Sequence, residues 1–192
     1  NAKAEIAKAD MDLSLGKDSV ALQEYLAVAA NYSNDPANRA SLNAAIILYK
    51  EGKYEEAAAN IKNFDAEGTI VGPASQSLLG DCYVNLKKYD EAIDMFKKAL
   101  EQEFDSKDKK AGVIKTLSDA YSSQEKYDDA IKYYEEYLNT YSTPTATDYA
   151  GLPQLYYYKA SKEQGDAMKA SLKKSDELYG QLAEKYQDAI EY

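Results

Sequence analysis

The sequence contains no histidine and no tryptophan, and Cys82 is its only cysteine. Without an imidazole, Ser-His-Asp and Cys-His nucleophile systems are excluded, together with histidine-ligated zinc and haem. A single cysteine excludes an internal disulfide and a cysteine-rich metal site. Only carboxylates, lysines and tyrosines remain for catalysis, so we expect a protein that is not an enzyme and binds no cofactor.

Long hydrophobic runs are also missing. No stretch of about 18 apolar residues occurs, which predicts that no part of this chain spans a bilayer and that it has no secretory hydrophobic region. The first residue is Asn1 rather than methionine, so an upstream signal peptide or anchor is compatible with the sequence. With 192 residues, 45% of them hydrophobic, the chain has enough apolar surface to bury a core and is expected to be soluble.

The charge balance is acidic, with 33 Asp and Glu against 23 Lys and Arg and a net charge of −10. Such a surface repels the phosphates of nucleic acids and anionic lipid headgroups. We therefore expect a protein or peptide partner, preferably a basic one, and no nucleic acid.

The sequence Lys-Tyr-acid-acid-Ala occurs three times, at residues 53–57, 88–92 and 126–130. The alanines that end these copies, at positions 57, 92 and 130, lie 35 and 38 residues apart. A fixed period in this range identifies stacked structural repeats.

The middle copy is the most complete. Leu79-Gly80 and Tyr83, followed by Ala92 and Phe96, resemble the tetratricopeptide repeat, whose pattern is Leu-Gly-x-x-Tyr and then Ala-x-x-x-Phe. The resemblance implies an all-α fold, a right-handed α-α superhelix (solenoid) of about four to five antiparallel helix pairs that binds other proteins. The small residue at position 80 is expected to let the two helices of a pair approach closely.

The repeat predicts one solenoid over residues 1–192. Upstream, Gly16 and Ala21 have the spacing of Gly52 and Ala57. Downstream, residues at alternating steps of four and three predict one face of a long helix: Met168, Leu172, Ser175, Tyr179, Leu182 and Tyr186. The clearest repeats are assigned to about 38–72, 73–110 and 111–145, and degenerate helix pairs to 1–37 and 146–192.

Cap and turn residues agree with these elements. They include Asn34-Asp35-Pro36, Gly68 to Pro73, Asp105 to Asp108 and Ser142 to Thr147. The last residues, Ala189 to Tyr192, resemble the start of another helix. This end therefore either continues in the natural chain or docks on something, and a homo-oligomer formed through it is a further expectation.

The first helices of stacked pairs line the concave face of such a superhelix. There we expect an apolar pocket of Leu42, Ile46 and Tyr49, and two aspartates, Asp81 and Asp119, that bind basic side chains. The alternatives are that the apolar residues pack on the N-terminal helices and that the aspartates are simply solvated. The full predicted binding set is Arg39, Leu42, Ile46, Tyr49, Lys50, Ser77, Asp81, Asn85, Lys115, Asp119 and Ser122.

A lysine and asparagine clamp binds chaperone C-termini in some members of this family. Of the corresponding positions here only Lys115 matches, so this activity is disfavoured. Cys82 is expected to be buried and structural. The acidic pairs at 55–56, 90–91 and 128–129 are expected to stabilise helix N-termini rather than to bind metal.

Tyrosine is unusually frequent, with 19 residues. Of the three consecutive tyrosines at 156–158, at least one must be exposed, because neighbours on a helix lie about 100° apart. Most of the others are expected to replace phenylalanine in the repeat core.

We therefore predict a non-catalytic interaction scaffold. The alternative is a structural spacer or assembly subunit of a cell-envelope complex with contacts on convex or terminal surfaces, and a receptor for sugars or peptidoglycan fragments is a further one. The segments 72–83 and 183–186 resemble envelope-associated bacterial members of the superfamily, which implies a periplasmic or envelope location, with the cytoplasm as the alternative.

Overall fold

The computed structural model describes residues 1–62 and 72–187, and within them the chain forms ten α-helices and no strand. The prediction of an all-α fold built from helix pairs is confirmed. The helices are α1 (Ala2–Ser14), α2 (Asp18–Asn31), α3 (Asn34–Lys50), α4 (Tyr54–Lys62), α5 (Gly72–Asn85), α6 (Tyr89–Leu100), α7 (Lys107–Ser123), α8 (Tyr127–Thr140), α9 (Ala146–Lys162) and α10 (Gly165–Gln187).

These helices form two compact units, unit 1 (Asn1–Glu103) and unit 2 (Phe104–Tyr192). Within each unit every helix packs on the next one along the chain. In unit 1 the first helices of successive pairs also touch, α1 against α3 and α3 against α5. Two predicted features, the turn beginning at Gly68 and the helix start at Ala189 to Tyr192, lie outside the described residues.

The same turn closes four helix pairs. A residue with positive φ ends α1, α3, α5 and α7, and each lies five residues before the small alanine of its repeat. The next backbone N–H, always that of a lysine, donates to a carbonyl five residues back, as from Lys88 to Tyr83 at 2.8 Å. This is the Schellman cap of a helix C-terminus. Its residues with positive φ are Gly16, Gly52, Lys87 and Glu125.

Close packing of the two helices in a pair is explained by the small residue predicted for that role. A Cβ atom on Gly80 would lie 2.6 Å from Cε1 of Phe96, so only glycine fits beneath that ring. At the same repeat position Ala45 is fully buried, and the buried Ser118 donates its hydroxyl to the carbonyl of Ala130 at 2.7 Å.

The N-terminal pair α1/α2 packs on α3 through an apolar core, and Tyr25 is completely buried at its centre. The two helices α1 and α2 lie where the sequence indicates a degenerate copy of the repeat. The buried members of the cluster are Ile6, Ala9, Ala21, Tyr25, Val28, Ala40, Ala44 and Ile47.

Helix starts follow the predicted cap chemistry. The acidic pairs lie in the first turns of α4, α6 and α8, where the partial positive charge of the helix N-terminus favours them. Ser106 caps α7, and Thr145 with Asp148 forms a capping box on α9. Pro36 lies in the first turn of α3, where its missing N–H has no helical partner to lose.

The predicted long C-terminal helix is present as α10, with 23 residues. Its buried side follows Ser171 and Ser175, while Tyr179 from the predicted apolar stripe is 44% exposed. Ser175 donates its hydroxyl to the carbonyl of Pro153 at 2.8 Å. Ser175, which belongs to the predicted face, is therefore buried against α9, and Ser171, which lies outside that face, is buried as well.

Candidate functional site

The surface formed by α1, α3 and α5 in unit 1, which we call the first-helix face, carries most of the predicted binding residues. Ile46 is 36% exposed on this face, and Tyr49 is half-buried one turn further along α3. Leu42, by contrast, is only 6% exposed and belongs to the core. Of the three residues predicted as an apolar pocket, Ile46 and Tyr49 are thus available to a partner.

A cleft of about 340 Å³ opens beside Ile46. The first three helices all contribute to it, because α3 packs on both α1 and α2. Its lining residues are Asp10, Leu13, Ser14, Tyr25, Asn43 and Ile46.

The polar side of the cleft is fixed by hydrogen bonds around Tyr25. The Tyr25 hydroxyl donates to Oδ1 of Asp10 at 2.5 Å, and Asn43 is a second hydrogen-bond partner of that hydroxyl. Burial, reinforced by the bond to Asp10, raises the pKa of Tyr25, so it remains a neutral donor. Nη2 of the exposed Arg39 lies 3.5 Å from Oδ2 of Asp10. Since these groups satisfy one another, Leu13 and Ile46 provide the open apolar contact surface.

Next to the cleft, Tyr49 connects α3 to α5. Nδ2 of Asn85 donates to the Tyr49 hydroxyl at 3.1 Å and to the backbone carbonyl of Asp81 at 2.9 Å. The Tyr49 ring meets the Tyr54 ring edge to face, with centroids 5.3 Å apart. Burial raises the pKa of Tyr49, so its hydroxyl also stays protonated.

Asp81 lies in the same group, half-buried on α5. None of the described residues forms a hydrogen bond or an ion pair with the Asp81 carboxylate, and burial raises the pKa of Asp81 to about 6. An unpaired carboxylate in this position is an acceptor without a donor.

The remaining predicted residues of unit 1 are less distinctive. Lys50 is exposed, and the Ser77 hydroxyl donates to the carbonyl of Pro73 at 2.6 Å, so its own proton is already used.

In unit 2 the predicted residues lie on α7. Nζ of Lys115 lies 3.0 Å from Oδ2 of Asp119, one turn away, and Ser122 is half-buried near the end of the helix. Asp119 therefore has a cation from its own helix, unlike Asp81 at the same repeat position.

Sequence reasoning missed an anchor at the start of α9 in unit 2. The Tyr137 hydroxyl donates to Oδ1 of Asp148 at 2.7 Å, and the Tyr134 hydroxyl donates to its backbone carbonyl at 2.8 Å. Burial alone would raise the pKa of Asp148, but the hydrogen bonds from Thr145 and Tyr137 lower it overall. The Thr-x-x-Asp spacing of the capping box was the sequence signal that could have located this anchor.

Three cleft residues on α1 were also missed, although the repeat could have placed them. Ala21 precedes Ala57 by 36 residues, and the same shift aligns α1 with α3. Applied to Ile46, Tyr49 and Lys50, it gives the cleft-lining residues Asp10, Leu13 and Ser14.

Three further features of the described residues concern metal binding, the thiol and the membrane. Residues 1–62 and 72–187 contain no group of three or more residues placed to hold a metal ion. Cys82 is buried as predicted, and burial raises the pKa of its thiol to about 11. No helix in these ranges has the length and apolar character needed to cross a bilayer.

The family comparisons agree on helical repeats. A family model described as tetratricopeptide repeat matches residues 73–143, and one described as anaphase-promoting complex, cyclosome, subunit 3 matches residues 20–99. Comparison with curated proteins gives no significant match.

Solved structures with the same fold cover nearly the whole chain. MamA from Desulfovibrio magneticus RS-1 has a TM-score of 0.73 and 15% identity, covering 97% of this chain and 96% of its own. Another MamA crystal structure has a TM-score of 0.72 and 18% identity, with coverage of 100% and 94%. For PilF of Pseudomonas aeruginosa the TM-score is 0.66 and the identity 20%, with coverage of 98% and 82%.

At these identities the likeness to solved structures concerns the fold alone. The three Lys-Tyr-acid-acid-Ala copies, the recurring turn between paired helices and the matching family models all point to one assignment. The chain belongs to the tetratricopeptide-repeat superfamily.

Proposed function

We propose that this protein is a non-catalytic scaffold that binds a partner protein or peptide on its first-helix face. The observation that carries the proposal is that an exposed apolar cleft at Ile46 and an unpaired carboxylate at Asp81 lie on the same face. Most exposed faces of helices lack both features, because apolar residues are buried and charges are solvated or paired.

The cleft suits one anchoring side chain of a partner. Its volume of about 340 Å³ is at the small end of the range for ligand pockets. Apolar anchors in such clefts supply much of the affinity of peptide complexes, while the surrounding polar groups set orientation. Ile46 and Leu13 would contact the anchor, and Tyr49 offers a large surface with a polar tip.

In unit 2 we propose Lys115, Asp119 and Ser122 as a separate polar contact patch on α7. Because the lysine and the aspartate already form an ion pair on an accessible helix surface, this patch is expected to contribute less affinity.

A structural role is the second candidate function, and the terminal helix pair favours it. Met11, Leu15 and Val20 are 58%, 62% and 45% exposed there. Exposed aliphatic residues at the end of a solenoid are suited to contact another subunit, since each repeat normally buries its face on the next. In this role the chain would be a spacer or assembly subunit of an envelope complex.

One matched pair of substitutions distinguishes the two functions. Ile46→Lys and Val20→Lys each place a charge on an exposed aliphatic position of unit 1, but on different surfaces. The full-length natural protein and both variants are used to capture partners from the cells that make it, with partners identified by mass spectrometry. Circular dichroism checks that each variant keeps its helicity.

Partners lost only from Ile46→Lys support the scaffold. Partners or self-copies lost only from Val20→Lys support the structural role, and partners retained equally by both variants contradict both surfaces.

We place the protein in the periplasm or cell envelope, with the cytoplasm as the alternative, on the strength of its resemblance to envelope-associated members of the superfamily. Fractionation of the source cells with an antibody against the chain tests this, and recovery with the cytosolic fraction would contradict it.

A further inference from the structure

We propose that Asp81, together with Tyr49, binds a lysine or arginine side chain of the partner, while an apolar residue two or three positions away in the partner enters the cleft at Ile46. This inference rests on the proposed function, and it specifies the sequence that the first-helix face selects.

Asp81 is half-buried, and the described residues leave its carboxylate without a hydrogen-bond donor. Burying a charge without a partner is unfavourable. A cation from the partner would therefore stabilise this carboxylate more than one that is already paired.

Tyr49 provides an aromatic surface near Asp81. Tyr49 accepts a hydrogen bond from Asn85, which fixes its hydroxyl close to α5, and its ring packs against Tyr54. An ammonium or guanidinium group bound to the carboxylate would therefore lie near an aromatic ring. Cations are attracted to such rings, and guanidinium groups also stack on them.

Asp119 is a less suitable site for a basic side chain of the partner. Asp119 occupies the same position in the next repeat, but Lys115 of its own helix already pairs with it at 3.0 Å. On the first-helix face Arg39 is engaged with Asp10 at 3.5 Å and is not a partner of Asp81. Of the two predicted aspartates, Asp81 is the one left for a basic side chain.

The separation between the cleft and Asp81 determines how far apart the apolar and the basic residue of the partner should be. Ile46 lies on α3 and Asp81 on α5, which packs against α3, and the axes of packed helices lie about 8 to 10 Å apart. Because an extended peptide advances about 3.3 Å per residue, the apolar and the basic residue of the partner should be two or three positions apart.

The test uses the full chain and synthetic nonapeptide pools with blocked ends. Each pool carries a fixed leucine and, two or three positions away, a fixed lysine, arginine, glutamine or glutamate. Pools that bind are measured by fluorescence anisotropy with the wild type, Asp81→Asn, and the matched control Asp94→Asn, which changes an exposed aspartate on α6, a second helix of the same unit.

We expect wild type to bind the lysine or arginine pools at least ten-fold more tightly than the glutamine pool, and the glutamate pool most weakly. Asp81→Asn should remove this preference, since it keeps the shape of the side chain but not the charge, whereas Asp94→Asn should change it less than two-fold. The Ile46→Lys variant should lose affinity for every pool.

Binding without preference for a basic residue, or a preference that survives in Asp81→Asn, would overturn the inference and leave the proposed function standing. Binding of no pool by the wild type would overturn both.

Discussion

Asp81, which we propose binds a basic side chain of the partner, is expected to destabilise the fold at neutral pH. Burial raises its pKa to about 6, above the ordinary value of 3.8, so the folded protein holds this proton more tightly than the unfolded chain. Between pH 4 and about pH 6 the unfolded state therefore binds fewer protons at this site, and the free energy of unfolding contributed by the site falls as pH rises. Above pH 6 the ionised, unpaired carboxylate destabilises the fold.

We expect Asp81→Asn to raise the free energy of unfolding at pH 7. Each pKa unit corresponds to about 1.4 kcal/mol, and partial solvent access reduces the gain to about 1 to 2 kcal/mol. Urea denaturation at pH 7 and pH 4 measures the change, which should disappear at pH 4.

Among the described residues, Tyr49 of α3 and Cys82 of α5 are the titratable groups that interact with Asp81. Burial is the cause that raises the pKa of Asp81. Asp119→Asn is the control, and an equal gain from it would show that the effect is one of overall charge.

The turn residue Lys87 has a positive φ of 58°, a conformation that glycine adopts at no steric cost. Gly52, with φ of 76°, has this role in the preceding repeat. We expect Lys87→Gly to raise the free energy of unfolding by about 1 kcal/mol and Gly52→Ala to lower it by a similar amount. Thermal or urea denaturation of the two variants should move in opposite directions; a loss from Lys87→Gly would contradict this explanation of the turn.

At the scale of helices, α8 and α9 approach each other at Gly151. A Cβ atom there would lie 2.0 Å from the hydroxyl oxygen of Tyr134, whose hydrogen bond holds the start of α9. Gly151→Ala should therefore force Tyr134 out of place and lower the free energy of unfolding by about 1 to 3 kcal/mol.

Gly112 provides the matched control, because it also lies within a helix but has no atom within 4 Å of the added Cβ. Gly112→Ala should raise the free energy of unfolding by up to about 1 kcal/mol, since alanine favours helix. Chemical denaturation of both variants measures the contrast, and equal effects would show that helix propensity rather than the contact with Tyr134 determines the result.

Sequence was sufficient for the elements whose chemistry is local. Gly80, Ser118 and the acidic pairs were assigned correctly because each acts on its own helix pair. The predicted face of α10 was only partly informative: Ser175 is buried and bonded to α9, whereas Tyr179 fits the same helical period but is 44% exposed.

The residues of the proposed site were less accessible to sequence reasoning than the fold. Repeat alignment placed Ile46, Tyr49 and Asp81 on first helices, but the burial of Leu42 depends on neighbouring helices that one sequence does not specify. The pairing of Asp119 with Lys115, four residues earlier on the same helix, could have been predicted from the sequence. Asp10 and Leu13 were accessible to the same alignment, although α1 lacks the sequence pattern that marks the other first helices.

For the molecule as a whole, the net charge of −10 should affect how a partner arrives. We expect affinity for a basic peptide to fall several-fold as salt rises from about 0.05 M to about 0.5 M, because salt screens attraction between exposed charges. Anisotropy titrations with a lysine peptide and its glutamine counterpart measure this. The glutamine peptide, held mainly by the apolar cleft, should depend little on salt; equal dependence would contradict the division of roles between cleft and carboxylate.

Within each unit every helix packs on its successor in the chain, and this order matters during synthesis. A ribosome adding about 5 to 20 residues per second delivers a helix pair of about 35 residues in a few seconds. Helices and their local contacts form in far less time than that. Each pair can therefore close before the next one leaves the exit tunnel, and the nascent chain exposes only the face that its successor will cover.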